Sequence, residues 1–202
     1  RSHLTMMKPR GSGSRQEHGR QARENRHVKP VETASPSMNE DELMELLEGR
    51  ANPLVLILDC IQDPHNLGAI LRTADATGVH AVVLSSVQCD AYSPESIRNS
   101  LGGIFHVPLV DASRSEVQTW LDREKIPVFQ LHLHGSQSPY TTDLTGPLAL
   151  VLGSEDRGLD GSWNILPGSR LKLPMTGVVD SLNVSVTAGV ILYEVGRQRA
   201  QK

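Results

Sequence analysis

The uninterrupted apolar run Leu54-Val-Leu-Ile-Leu58, which ends at Asp59, constrains the fold of this chain more than any other stretch. A strand that is apolar on both faces is typical of a parallel sheet covered by helices on both sides. Residues 81–84 form a second such run, and a helical pattern follows each of the two. This alternation predicts an open parallel α/β sheet flanked by helices.

The remaining elements follow from periodicity and from capping residues. Helix ends are indicated by Gly78, by Ser93-Pro94 and by the capping box from Ser113 to Glu116. The predicted further strands span residues 106–110, 126–131, 148–152 and 171–173. The predicted helices span residues 67–77, 93–101, 113–125 and 184–197.

Charge divides the chain into parts. Residues 1–38 hold eight Lys/Arg and three Asp/Glu, a formal charge of +5, whereas the remainder holds twelve and twenty, a charge of −8. We predict a disordered basic arm over 1–38, in which Arg1-Ser-His-Leu is typical of a cloning remnant. A short acidic helix and linker follow over 39–50, and one α/β domain spans 51–202. The arm is either a solvated tail or a contact for a polyanion.

Several classes of function are disfavoured by composition. The sequence has no apolar run of the ~20 residues that span a membrane, and no signal peptide, so we expect a cytoplasmic protein. The two cysteines form neither a disulfide framework nor a zinc motif. His132 and His134 alternate on a predicted strand without a third ligand, so no metal is expected. Trp120 and Trp163 are interpreted as packing residues.

Three polar segments follow predicted strands, where open parallel sheets bind ligands. They are Asp63-Pro-His-Asn-Leu-Gly-Ala-Ile-Leu-Arg72, Gly153-Ser-Glu-Asp-Arg-Gly158 and Leu173-Pro-Met-Thr-Gly-Val-Val-Asp-Ser-Leu-Asn-Val-Ser185. Each also has a structural interpretation: a helix cap by Asn66 with a surface ion pair, a tight turn that needs glycine, and a cap by Ser181 or Asn183.

Together the three segments resemble the sequence motifs of the SpoU (TrmH-like) family of RNA 2'-O-ribose methyltransferases, in the SPOUT superfamily. The resemblance covers about residues 52–199. It implies a sheet that ends in a deep C-terminal trefoil knot, S-adenosyl-L-methionine (AdoMet) as cofactor, a homodimer, and an RNA substrate. A Rossmann-type enzyme is disfavoured, because GxGxxG does not follow the first strand. A non-catalytic RNA-binding protein would be expected to have lost Arg72, Glu155 or Asn183.

The resemblance also assigns residues. The catalytic positions it implies are Asn66, Arg72, Glu155, Ser181 and Asn183. The cofactor-binding positions it implies are Gly153, Leu173, Leu182, Leu131 and His132. The arginine of the first motif is the family's proposed base, yet a guanidinium is almost always protonated. Arg72 therefore acts either with help from an RNA phosphate or by electrostatics alone.

The RNA substrate depends on weaker features. The segment DPHNLGA favours ribosomal RNA, whereas the compact length is typical of tRNA enzymes; rRNA of the 23S type is favoured over tRNA. The ribosomal-protein-type domain of many family members does not precede residue 51, so the chain is either a short member or a piece of a longer protein. The basic residues expected to hold RNA are Arg72, Arg98, Arg157, Arg197 and Arg199.

Overall fold

The computed structural model describes residues 39–135, 137–153, 163 and 168–202. Within them the strands are β1 (Leu54–Asp59), β2 (Ala81–Ser85), β3 (Leu109–Asp111), β4 (Val128–Leu131), β5 (Leu148–Gly153) and β6 (Gly168–Leu171). The helices are α1 (Glu40–Leu47), α2 (Pro64–Thr77), α3 (Pro94–Ser100), α4 (Arg114–Arg123) and α5 (Val184–Ala200), with a 3₁₀ turn at Gly103–Phe105. The basic arm, Glu155 and Arg157 lie outside the described residues.

The six strands form one sheet in the order β3-β2-β1-β5-β4-β6. All five strand pairs are parallel, which confirms the predicted sheet. Every residue of β1 is buried, as the apolar run indicated. Parallel pairing brings the carboxyl ends of all strands to one edge of the sheet, and this edge carries the first and third polar segments and Gly153 of the second.

Alternate residues of the strands supply two separate cores. One core contains Leu56 and Leu58 of β1 and packs against α2 and α5. The other contains Val55 and Ile57 and packs against α1 and α4. Buried aliphatic side chains on both faces supply the main stabilisation of such a three-layer fold.

Helix α1 belongs to the second core. Asn39 and Glu42 form a capping box at its start, and Leu43 and Leu47 are buried against the sheet. The indole N–H of Trp120 contacts the sulfur of Met44. The short acidic helix predicted here is therefore present, and it is packed against the α/β body.

Three predicted strands begin or end elsewhere. Strand β3 begins at Leu109, because residues 103–105 form a 3₁₀ turn that closes on His106 and Val107. Strand β4 begins at Val128, after Lys125 adopts a left-handed conformation with φ 58°. Strand β6 ends at Leu171, because Leu171 pairs with the last residue of β4.

His80 connects two strands through a hydrogen bond that depends on pH. Its Nδ1 accepts the backbone N–H of Leu54 at 2.8 Å. Burial lowers the pKa of His80 below its usual value of 6.5, and the charges of Arg50 and Arg199 lower it further. The unfolded chain thus binds the proton more readily, so the stability from neutral His80 is complete above pH 6.5 and lost as pH falls through the folded-state pKa.

We expect His80→Asn to flatten the pH dependence of stability between pH 7.5 and 5. The asparagine oxygen supplies an acceptor that does not titrate, so protonation no longer opposes the bond to Leu54. Urea unfolding of both proteins at a series of pH values measures the difference. Equal slopes for the wild type and the variant would contradict the role assigned to His80.

Candidate active site at the carboxyl ends of the strands

The first polar segment begins α2, and its helix starts earlier than the sequence indicated. Asp63 is the N-cap, accepting the backbone N–H of His65 at 2.8 Å, and Pro64 occupies the first helical position. Proline is preferred there because its fixed φ suits the helix and its missing N–H has no intrahelical partner. The interpretation of Asn66 as the cap is therefore wrong. Asn66 lies inside the first turn, with its side chain available for other contacts.

Asn66 joins the first motif to the third. The Nδ2 of Asn183 donates to Oδ1 of Asn66 at 3.0 Å, across 117 residues of sequence. Asn183 is also the N-cap of α5, because its Oδ1 accepts the backbone N–H of Ser185 at 2.8 Å and the Ser185 hydroxyl at 2.5 Å. Asn183 therefore caps its helix as predicted and contacts the first motif as well, while Ser185 is structural.

Arg72 lies on α2 six residues after Asn66, one and two-thirds turns along the helix. Its side chain is exposed, and no ion pair within the described ranges engages its guanidinium. The surface ion pair considered for this residue is thus not found there. Helix α2 is held closely against α3 at Gly68, where a Cβ would lie 2.5 Å from the carbonyl oxygen of Ser96.

The residues assigned to the cofactor follow three neighbouring strands. Gly153 ends β5, Leu131 ends β4 and pairs with Leu171 of β6, and Leu173 comes two residues later. Leu173 is buried, whereas Gly153 and Leu131 are half-buried. Apolar side chains beside exposed backbone suit the faces and edges of a purine ring, so the chemistry of these residues fits the adenosine part of AdoMet.

His132 lies in a turn rather than on a strand. Its backbone N–H donates to Leu171 at 2.9 Å, and its Nδ1 accepts the N–H of His134 at 3.0 Å. The expectation that His132 and His134 alternate along a strand is therefore wrong, because β4 has already ended at Leu131. Their rings still approach each other, with centroids 5.6 Å apart. Among the described side chains, no three ligating groups gather as a metal site would require.

The remaining residues assigned from the family resemblance are Ser181, Leu182 and Glu155. Ser181 and Leu182 lie in the exposed loop before α5, with Leu182 39% accessible. Their backbone leads directly into the Asn183 cap. Glu155, the acidic residue of the second motif, lies outside the described residues, so its assignment stays a prediction.

Asp59 is a polar residue of this edge to which we assign no role from the sequence. It ends β1 in register with Gly153 and is only 2% exposed. Its Oδ2 accepts hydrogen bonds from Arg114 Nη2 at 2.8 Å and from Trp163 Nε1 at 3.0 Å. The sequence contained a signal that could have identified Asp59, because a carboxylate at the end of a wholly apolar strand must be buried and must have partners.

Two of the arginines expected to hold RNA are instead engaged by the protein. Arg197 donates two hydrogen bonds of 2.8 Å to buried Glu194, and these bonds hold the pKa of Glu194 at about 2 against the opposing effect of burial. Arg199 donates to the carbonyl oxygens of Asn52 and Gly146 at 3.0 and 2.9 Å. Arg72 and Arg98 are exposed and remain the candidates for RNA.

Comparison with known proteins identifies the family. Residues 53–193 match the family model described as the SpoU rRNA Methylase family, and the chain belongs to that family. The resemblance indicated by the motifs is thereby confirmed. None of the helices in the described ranges is long and apolar enough to cross a membrane.

Similar proteins include two bacterial enzymes named 23S rRNA (guanosine-2'-O-)-methyltransferase RlmB. The protein from Haemophilus influenzae is 38% identical over 82% of this chain and 68% of its own length. The protein from Pseudomonas putida is 39% identical over 87% and 73%, respectively.

Solved structures resemble the chain in fold. The SpoU methyltransferase AviRb from Streptomyces viridochromogenes in complex with AdoMet matches with a TM-score of 0.72 and 32% identity, over 78% of this chain. This chain spans only 62% of the length of that protein. The A. aeolicus TrmH/SpoU tRNA modifying enzyme matches with a TM-score of 0.67 and 28% identity, over 80% of this chain and 82% of its own.

Proposed function

We propose that this chain is an AdoMet-dependent methyltransferase that modifies a ribose 2'-hydroxyl in RNA, with 23S ribosomal RNA as its substrate. The observation that carries the proposal is the Asn66–Asn183 hydrogen bond, which joins the third motif of the family to the first motif, the one that contains Arg72. The two relatives named as 23S rRNA enzymes, which are 38% and 39% identical to this chain, support ribosomal RNA as the substrate.

AdoMet would be held by Gly153, Leu131, His132, Leu173 and Leu182, and when bound it supplies a methyl group carried by a cationic sulfur. The chain must hold the ribose hydroxyl in line with that methyl group and assist loss of its proton. Arg72 is suited to bind an RNA phosphate bidentately and to stabilise the oxygen as it becomes negative. Asn66 and Asn183 orient each other. Glu155 and Ser181 are the remaining proposed catalytic residues.

The trefoil knot implied by the family is also part of the proposal. Residues 137–144, which precede β5, bond to both C-terminal elements, and these bonds support the proposal. Gln137 accepts the N–H of Lys172 at 2.9 Å, just after β6. Gln198 on α5 donates to the carbonyl oxygens of Pro139 and Thr142, both at 3.1 Å, and accepts the N–H of Leu144 at 2.9 Å.

We further propose that the protein acts as a homodimer. Helix α5 is apolar on its outer face as well as its inner face: Val186 is 50% exposed and Tyr193 is 64% exposed. The exposed Val178 and Val179 lie in the loop before it. Exposed apolar side chains grouped in this way are typical of protein interfaces. Sedimentation as a monomer at micromolar concentration would contradict the dimer.

Mapping of 2'-O-methylation in RNA from cells that lack the protein tests the substrate. We expect one 23S rRNA nucleotide to lose its methyl group and to regain it when the wild-type protein is restored. Loss at a tRNA nucleotide would favour the alternative supported by the A. aeolicus enzyme. No lost site, together with no AdoMet binding in calorimetric titration, would favour a non-catalytic RNA-binding protein.

Replacement of Asn66 by alanine tests the link between the motifs. We expect methyl transfer to fall by about 10- to 100-fold, because Asn183 loses the partner that orients it. The free energy of unfolding should change by less than about 1 kcal/mol, since both side chains contact solvent and the α2 cap is Asp63. Single-turnover assays and urea unfolding measure the two effects; full activity would exclude a role for the pair.

A further inference from the structure

Asp59 lies at the centre of the sheet edge that is formed by the carboxyl ends of the strands. It ends β1, pairs in register with Ser85 of β2 on one side, and pairs with Gly153 of β5 on the other. The five residues before it in β1 are aliphatic and buried, and Asp59 itself is 2% exposed. An ionised carboxylate in such a place is costly unless charged or polar donors surround it.

Two donors meet the same oxygen of Asp59. Arg114, the first residue of α4, approaches Oδ2 to 2.8 Å, and its side chain is 26% exposed. The indole N–H of Trp163 approaches the same atom to 3.0 Å. Trp163 is 104 residues distant in sequence and fully buried in the core beneath α4. Asp59 therefore ties Arg114 of α4 and the distant Trp163 to the central strand.

Trp163 belongs to the connection that leaves β5 at Gly153 and enters β6 at Gly168. In sequence it begins after Gly153, which is proposed to hold AdoMet, and it includes Glu155. A buried indole supplies apolar contact on all sides but only one directional bond. That bond to Asp59 fixes the rotation and depth of the ring at a point ten residues beyond Gly153.

We infer that Asp59 is a positioning residue for the methyl transfer: its carboxylate is anchored by Trp163 and its backbone is paired with Gly153, so the Asp59–Trp163 bond holds Gly153 in the arrangement that binds AdoMet. The inference rests on the proposed function for its consequence, although not for the contact itself. In this role Asp59 touches neither substrate nor cofactor, and Arg114 forms an ion pair with the same carboxylate oxygen.

The chain offers a matched control for Trp163. Trp120 is the other tryptophan of the sequence, lies in the same core and is 2% exposed, but its indole N–H contacts the Met44 sulfur rather than Asp59. Trp163→Phe and Trp120→Phe each remove one indole from that core. Only the first of them removes a bond to Asp59.

We expect Trp163→Phe to raise the AdoMet dissociation constant and KM by about tenfold, with the KM for RNA within about twofold of the wild type. Trp120→Phe should leave both constants within about twofold. Calorimetric titration and steady-state assays measure them. Equal losses in the two variants, equal rises in both KM values, or no loss in Trp163→Phe would overturn the inference.

A double-mutant cycle tests the contact without AdoMet. Asp59→Asn and Trp163→Phe should be coupled, with the combined effect on the unfolding equilibrium constant about tenfold smaller than the product of the single effects. Asp59→Asn and Trp120→Phe should be additive. Additivity in both cycles would overturn the contact. Absence of AdoMet binding by the wild type would instead count against the proposed function and leave the cycle to decide the contact.

Discussion

Replacement of Arg72 by alanine is expected to reduce methyl transfer by about 10³-fold or more while AdoMet affinity changes by less than about twofold. Arg72 lies on α2, exposed and without an ion pair in the described part of the chain. None of the proposed AdoMet residues lies on α2, because they follow β4, β5 and β6 and precede α5. Loss of its guanidinium therefore removes the group that stabilises the ribose oxygen as it becomes negative, and leaves the cofactor site unchanged.

The matched control is Arg98→Ala. Arg98 is the exposed arginine of the neighbouring α3, so the variant removes one charge near the same surface. The variant should only weaken RNA binding, by about tenfold or less, and this loss of affinity should become smaller as salt is added. Single-turnover rates and calorimetric titration distinguish the two variants. Retained turnover in Arg72→Ala would contradict the catalytic role assigned to Arg72.

The largest expected effect on stability comes from Gly168→Ala. Gly168 begins β6 with φ 151°, and a Cβ there would lie 1.6 Å from the carbonyl oxygen of Val128, its partner in β4. Neither backbone can yield while the strands stay paired. We expect the free energy of unfolding to fall by about 3 kcal/mol or more, or β6 to detach from β4.

Either outcome should also abolish AdoMet binding, since the pairing of Leu131 with Leu171 places the segment that contains Leu173. Gly146→Ala is the control, because a Cβ there has open space around it. Urea unfolding and calorimetric titration should find Gly146→Ala close to the wild type. A Gly168→Ala protein with normal stability and AdoMet affinity would contradict the register of β6.

Local features of the fold followed from short stretches of sequence. Ser93 caps α3, Ser113 and Glu116 form their capping box, and α5 begins at Val184 as predicted. These features depend on residues within four positions of one another. The predicted start of α2 was wrong, because the cap is Asp63 rather than Asn66.

Contacts between distant residues did not follow in this way. That Asn66 meets Asn183, and that Asp59 meets Trp163, depends on a strand order in which β5 lies beside β1 and β6 lies beside β4. The interpretation of Trp163 as a packing residue was correct for its ring, but its N–H required a partner that no sequence spacing identifies. Arg197 and Arg199 likewise looked free in the sequence and are engaged in the fold.

By itself the sequence determined that this is a parallel α/β protein with three motifs of the SpoU family, because buried aliphatic runs, caps and motif residues are local patterns. Only the tertiary structure decided which side chains of those motifs meet, which arginines stay exposed, and that Asp59 ties Trp163 to the central strand. The physical reason is that a parallel sheet requires long crossover connections. The neighbours at its carboxyl edge are therefore set by packing and strand register rather than by proximity along the chain.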